Sequence, residues 1–534
     1  MVRRVEIGHC AQAALALCLV GSFANVQVQA GAPGPDAGAG LRAEDRVQVD
    51  APVATEDSVS RHSSVSIRGA MVGYTATAGT VVIRDDQNEP IASVFYTAYV
   101  ADSGVGHDSR PVTFAFNGGP GASSIYLHMG SIGPMRLALP DAKPSGCGPF
   151  HLVPNNDSVL DRTDLVFIDA IGTGLSHAVG KSKDRDFWGV DQDVDAFARA
   201  IMRWIKLTQR WNAPKFLMGE SYGGYRASGL ASVLQERGIP VSGVVLVSSA
   251  TELGMRNPSY DAFFVSFLPS LAAISWYHHR LKSPPPDLPA FLNEVRAYAL
   301  GPYASALTKG NSIAPAERDA VARQISEYTG LTTDYVIHSN LRVDFRRYRK
   351  ELLRGQGKTL GALDARYLGS DADDAGDTPD FDATSAAVDG AFSVVFNEYL
   401  FKTLGYKSDR TYRVENGQEI QPGWDWSRKA GPDYYPWAIR PMTADLAGAM
   451  RRNPSLRVLA LLGYYDLAAP FLEGEIELAR LPAQTVKLEY YESGHMVYLD
   501  GPSLRKMKID LDHFYEQAAV RRVTDTSTFK DEVR

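Results

Sequence analysis

The stretch Lys215-Phe216-Leu217-Met218-Gly219-Glu220-Ser221-Tyr222-Gly223-Gly224-Tyr225 constrains the fold more than any other part of the chain. Its apolar start predicts a strand and Arg226 to Glu236 predicts a helix, so a Gly-x-Ser-x-Gly pentad falls in the turn between them. A strand that turns at once into a helix needs room, which Gly219 and Gly223 leave. Such a turn pushes the Ser221 hydroxyl out at the carboxyl edge of a sheet. There the N–H groups of the helix start face developing negative charge. In a chain with 47 glycines the pentad alone is weak, and its surroundings decide what it means.

Those surroundings predict a mostly parallel sheet. Val112–Phe116, Leu165–Ile168 and Gly243–Val247 are short apolar runs, and a long helical pattern covers Val190 to Trp211. Arg457–Leu462 and Val486–Tyr491 return as apolar strands, and Ser503–Ala519 reads as a closing helix with a frayed tail from Val520. Upstream, Met71–Ala76, Thr80–Arg84 and Ala92–Val100 read as strands separated by turns, an antiparallel edge.

A serine needs a base to take its proton and a third group to orient that base. Asp466 stands just past the Arg457–Leu462 strand and His495 just past the next. The order Ser221…Asp466…His495 is that of an α/β-hydrolase, and carboxyl ends of parallel strands open on one edge. Asp500 is the nearest competitor for the aspartate. Asn117-Gly118-Gly119-Pro120-Gly121 follows a strand upstream of Ser221, where this fold forms its second oxyanion donor. The N–H groups of Gly119 and Tyr222 are the expected pair.

Composition narrows the function. The 534 residues are 45% hydrophobic and carry a net charge of −7, with no basic block for nucleic acid. Arg3-Arg4, the apolar run Ala11–Ala24 and Val28-Gln29-Ala30 predict a signal peptide over 1–30; a retained anchor is the alternative. A twin-arginine signal fits this context poorly, and Leu17 before Cys18 argues against lipidation. Past that segment Cys147 is the remaining thiol, in a turn without an adjacent His or acid, and no disulfide is available. The expectation is an exported protein, periplasmic or extracellular, with no stable membrane association once the signal is removed. The expected order is a linker over 31–60, a hydrolase core over 61–250, an inserted cap over 251–435, core again over 436–520 and a tail over 521–534. Helical patterns mark the cap at Pro315–Tyr328, Leu341–Leu353 and Ala386–Leu404. The acidic run Asp371–Asp382 lacks a closing bidentate Glu and reads as a solvated loop, not a calcium site. Trp424, Trp426, Trp437 and the tyrosines read as cap packing, with a peptide cleft as the alternative.

Four ordered motifs resemble the serine carboxypeptidases, peptidase family S10: Asn117-Gly118-Gly119-Pro120-Gly121-Ala122-Ser123-Ser124, Gly172-Thr173-Gly174-Leu175-Ser176, Gly219-Glu220-Ser221-Tyr222-Gly223-Gly224 and Gly494-His495-Met496-Val497. The resemblance implies a bacterial-type member that removes C-terminal residues from peptides through an acyl-enzyme. It assigns Ser221, Asp466 and His495 to the triad, and Gly119 and Tyr222 to the oxyanion hole. No cofactor and no metal are implied. It also implies that Asn117 and Glu220 hold the substrate's free C-terminal carboxylate, with Glu220 protonated to donate and activity favoured in mild acid. The family's second Glu is Ser131 here, whose hydroxyl can still donate to a carboxylate; the loss of a like charge predicts a milder acid optimum. Ala122, Val159 and Tyr498 replace the family's usual Cys, Trp and Pro. An esterase or acyltransferase on the same scaffold, and a non-catalytic hydrolase-like binding protein, are the alternatives.

Overall fold

The computed structural model describes residues 55–102, 109–249, 251–429 and 441–524. The expected signal peptide, Trp437, most of the expected linker and the end of the tail lie outside the described residues. One large sheet organises the molecule. Its main strands are β1 (Ser58–Ile67), β2 (Ala70–Arg84), β3 (Pro90–Ala101), β4 (Val112–Phe116), β5 (Asp164–Ile168), β6 (Lys215–Glu220), β7 (Gly243–Val247), β8 (Arg457–Gly463) and β9 (Val486–Tyr491). They lie in the order β1-β2-β3-β5-β4-β6-β7-β8-β9, with a short strand, His177–Ala178, paired to β3. The first three strands and the β3–β5 junction are antiparallel. From β5 through β9 every pairing is parallel.

Burial on both faces explains the unbroken apolar runs. Val112, Phe114 and Phe116 of β4 and Val244 and Leu246 of β7 point into one apolar core. Ala115, Val245 and Val247, the alternate residues, point into the other. Helices α1 (Val190–Thr208), α2 (Tyr222–Glu236) and α3 (Asp261–Tyr277) contribute to the first core. Helix α4 (Ala383–Asn397) serves the second. Helices α5 (Met442–Arg452) and α6 (Phe471–Leu478) join the first, and α7 (Gly501–Thr524) the second. No helix among the described residues is long and apolar enough to cross a membrane.

Several details differ from the sequence reading. The two strands expected around residues 71–84 are one, β2, because Gly79 serves a close approach and not a turn: a Cβ there would lie 2.7 Å from the Asp57 carbonyl. Strand β1 begins at Ser58, inside the segment expected to be linker, and the closing helix runs to Thr524. Helix α1 stops at Thr208, where Gln209 takes a left-handed φ of 57°. Helices at Leu288–Tyr298, Pro315–Thr329 and Phe345–Glu351 lie in the expected cap, yet their apolar faces join the same core as the sheet. The acidic run is only partly solvated. Asp371 is buried against Lys350 at 2.7 Å, and Asp382 caps α4 while pairing with Arg349 at 3.0 Å.

Candidate active site

The switch in strand order places the site. The chain runs from β4 outward to β5, then returns to β6 on the other side of β4, and such reversals open a crevice at the carboxyl edge. Asn117 follows β4 and Ser221 follows β6, so both border that crevice. Ser221 sits at φ 59° and ψ −129°, a conformation rare for a side chain with a Cβ and held by the turn around it. A side chain at Gly219 would overlap the Gly223 carbonyl, so the pentad's glycines are required by contact. Ser221 is half-buried, and its hydroxyl has no hydrogen-bond partner among the described residues.

Asp466 and His495 meet. His495 Nδ1 lies 2.7 Å from Asp466 Oδ2, with Asp466 fully buried and His495 nearly so. The other Asp466 oxygen accepts from the N–H groups of Ala468 at 2.7 Å and Ala469 at 2.8 Å, which fixes the carboxylate. Burial pulls the His495 imidazole down, but the charge and hydrogen bond of Asp466 outweigh it and the net shift is upward. Asp500 takes another part: it accepts from the Ser503 N–H at the start of α7. The structure does not join His495 to the Ser221 hydroxyl by a hydrogen bond. In ligand-free sites such bonds are often long and tighten when substrate binds.

The loop after β4 closes over the start of α2. A Cβ on Gly118 would lie 2.5 Å from the Tyr222 nitrogen and 2.6 Å from that of Gly223. Gly119 is exposed at φ +102°, and neither its N–H nor that of Tyr222 has a partner among the described residues. The two candidate oxyanion donors are therefore unengaged and neighbours. Tyr222's ring packs edge-on against Trp424 at 5.4 Å and Trp426 at 5.8 Å, so these tryptophans brace the turn at Ser221.

Asn117 Nδ2 donates to Glu220 Oε1 at 2.9 Å, while Asn117 Oδ1 accepts from the Leu127 N–H at 3.0 Å and fixes the amide's orientation. Glu220 is pushed up to about 7, first by burial; Asp466 adds to this, and His495, Tyr498 and Asn117 oppose it. Burial thus replaces the like charge whose loss predicted a milder acid optimum. Ser131 is fully buried, and its hydroxyl donates to the Leu127 carbonyl at 2.9 Å. That hydroxyl is held inside its own helical turn, not turned toward Glu220. The group on Glu220's second oxygen is Tyr498, whose hydroxyl donates to Oε2 at 2.6 Å.

A model of the serine carboxypeptidases matches residues 72–241, which hold Asn117, Glu220 and Ser221. That segment is similar to the serine carboxypeptidases. Serine carboxypeptidase-like 22 of Arabidopsis thaliana is 28% identical over 168 residues, 31% of this chain and 33% of that relative. Pheromone-processing carboxypeptidase KEX1 of Phaeosphaeria nodorum is 31% identical over 132 residues, 24% of this chain and 19% of that protein. The chain thus spans about a third or less of the length of these curated relatives. The crystal structure of a prohormone-processing carboxypeptidase from Saccharomyces cerevisiae superposes with a TM-score of 0.51 at 15% identity, covering 82% of this chain and 90% of that one. It shares the α/β-hydrolase fold.

Several of the groups that hold this site in place lie outside the serine carboxypeptidase motifs. Arg226, buried on α2, donates to the Asn117 carbonyl at 2.7 Å and pairs with Asp193 of α1 at 2.7 Å. It is the lone charge in the otherwise uncharged run from Tyr222 to Leu234, and that is a signal the sequence carries. Asp364 and Arg366 brace the histidine loop: the Gly494 N–H donates to Asp364, Arg366 donates to Ser493 Oγ, and the His495 N–H donates to the Leu363 carbonyl. No local pattern around residue 364 announces this. The Gly172–Ser176 motif works as a clamp: Ser176 Oγ donates to the Asp169 carbonyl, and Asp169 accepts from the Ser124 N–H behind the oxyanion loop. Glu415 is exposed and lies near Asp389 and Glu220.

Proposed function

We infer that the protein is a serine-type carboxypeptidase that removes C-terminal residues from peptides. The observation that carries this reading is the buried Asn117–Glu220 pair beside Ser221, with Glu220 able to keep its proton up to about pH 7. A neutral carboxyl group and an oriented amide suit a free carboxylate; an ester or an internal peptide bond has no use for them. In the proposed reaction His495 takes the Ser221 proton as Oγ attacks the carbonyl carbon, and Asp466 steadies the imidazolium. The N–H groups of Gly119 and Tyr222 receive the oxyanion. His495 then passes the proton to the leaving amine, and water attacks the acyl-enzyme in a second, equivalent cycle. The C-terminal residue leaves as a free amino acid.

Export to a periplasmic or extracellular space, where peptides are the available substrates, is part of this proposal and rests on the pattern over 1–30. So is the division into a core and a cap over 251–435, whose cleft side would set side-chain preference. The test is a terminal ladder: a defined peptide is incubated at several pH values and the products are weighed. Stepwise loss of C-terminal residues, abolished in Ser221→Ala, is expected. Internal cleavage, or equal turnover of a blocked dipeptide and its C-terminal amide, would refute it.

A further inference from the structure

Tyr498 stands where the related carboxypeptidases usually place a proline, and Ser131 where they place a second acid. The structure connects these two departures. The Tyr498 ring lies against Gly130, the residue before Ser131; a Cβ on Gly130 would come within 2.5 Å of Tyr498 Cε2. Its hydroxyl is 2.6 Å from Glu220 Oε2, and Asn117 donates to the other oxygen of the same carboxyl group at 2.9 Å. The side chain is buried. One phenol therefore joins the pair assigned to the substrate's carboxylate, and it reaches Glu220 across the backbone that carries the missing acid. Ser131 cannot compete for this place, because its hydroxyl is bonded to Leu127.

We propose that Tyr498 substitutes for the absent second carboxylic acid, its hydroxyl donating, with Asn117 and Glu220, to the free C-terminal carboxylate of the peptide. This rests on the carboxypeptidase reading above. When Glu220 is ionised, it accepts from Asn117 and Tyr498 and repels an incoming carboxylate. When Glu220 is protonated on Oε2, its O–H donates to the Tyr498 oxygen, and the phenolic hydrogen turns to the guest. No covalent bond forms or breaks; only the direction of a hydrogen bond reverses. Charged and polar groups facing Glu220 are His495, Asp466, Asn117, Tyr498 and Glu415; those facing Tyr498 are Glu220, Asn117 and Tyr126. Burial, then Glu220, hold the phenol far above its ordinary range, so it never ionises at working pH. The pocket has one titrating acid at this position where a pair of acids would have two.

The test is Tyr498→Phe, which keeps the ring against Gly130 and removes the hydroxyl. A blocked dipeptide with a free C-terminal acid is compared with its methyl ester, which has no carboxylate to hold. A hydrogen bond to a charged group accounts for about 10–100-fold in binding, so KM for the acid should rise by about that factor with kcat nearly unchanged. Ester kinetics should not move. The alkaline limb of kcat/KM for the acid should shift to higher pH, because the phenol's hydrogen bond favours ionised Glu220. Equal losses on acid and ester, or no loss on either, would overturn the inference alone. A wild-type chain that cleaves the ester but not the acid would remove the carboxypeptidase reading, and this inference with it.

Discussion

Glu220→Gln isolates the acid that the proposed function depends on. Glutamine matches the shape of glutamic acid and donates at every pH, so it removes titration while keeping a donor. Glu220 is pushed up to about 7 chiefly because it is buried, with Asp466 adding to the rise. One unit above that value roughly one molecule in eleven keeps the proton, and kcat/KM for a free-acid peptide falls about tenfold, ~1.4 kcal/mol. A further unit costs about another factor of ten. The acid limb belongs to His495, which must be neutral to act as base and whose pKa is raised because Asp466 outweighs the effect of burial. The wild-type profile is therefore a narrow bell. Near its top, a neutral imidazole beside a protonated Glu220 is one of two singly protonated forms of the pair, so the limbs report macroscopic values. In Glu220→Gln the alkaline limb should vanish. The acid limb should move to lower pH, because the Glu220 charge helps to raise His495. The assay is kcat/KM between about pH 5 and 9 on a blocked dipeptide. An unchanged alkaline limb in the variant would refute the assignment of that limb to Glu220.

Asp466→Asn should leave KM nearly unchanged and lower kcat by about 10⁴, as expected when the orienting carboxylate is lost and the imidazole takes the wrong tautomer; a loss under about tenfold would point to another orienting group. Glu477 bears on stability. It is buried, accepts from Thr251 Oγ1 at 2.8 Å, and is raised well above its ordinary 4.5 by burial and then by Glu473. A carboxyl group raised on folding destabilises the fold as pH climbs from its unfolded value through its folded one. Glu477→Gln should therefore raise the melting temperature at pH 8 and leave it nearly unchanged at pH 4.5. An equal change at both values would show that packing, not ionisation, is responsible.

The parallel half of the sheet and the turn at Ser221 were legible because both leave a mark in short stretches of sequence. Apolar runs buried on two faces look alike in sequence and in space, as β4, β6, β7 and β8 show. Gly219 is needed because a Cβ there would meet main chain within the same turn, and Gly223 because one would meet the main chain of Phe116. The two upstream strands were misread as separated because Gly79 suggests a turn, whereas here it admits the chain at Asp57. Asp371 was misread as solvated because its partner, Lys350, lies on a distant helix.

Residue chemistry and chain order pointed to Ser221, Asp466 and His495 as candidates, since strand ends on one edge of a parallel sheet must lie near one another, whereas Asn117 and Glu220 entered only through the resemblance to the serine carboxypeptidases. Which aspartate serves the histidine needed three dimensions: Asp466 lies 2.7 Å from His495, while Asp500 is occupied at the start of α7. The same holds for the partner of Glu220. Ser131, 89 positions away, was the expected donor and Tyr498, 278 positions away, was not, yet folding turned the first hydroxyl into its own helix and the second onto the carboxyl group. Hydrogen bonds between distant segments are set by the packing of whole elements, and no short stretch of sequence carries that information.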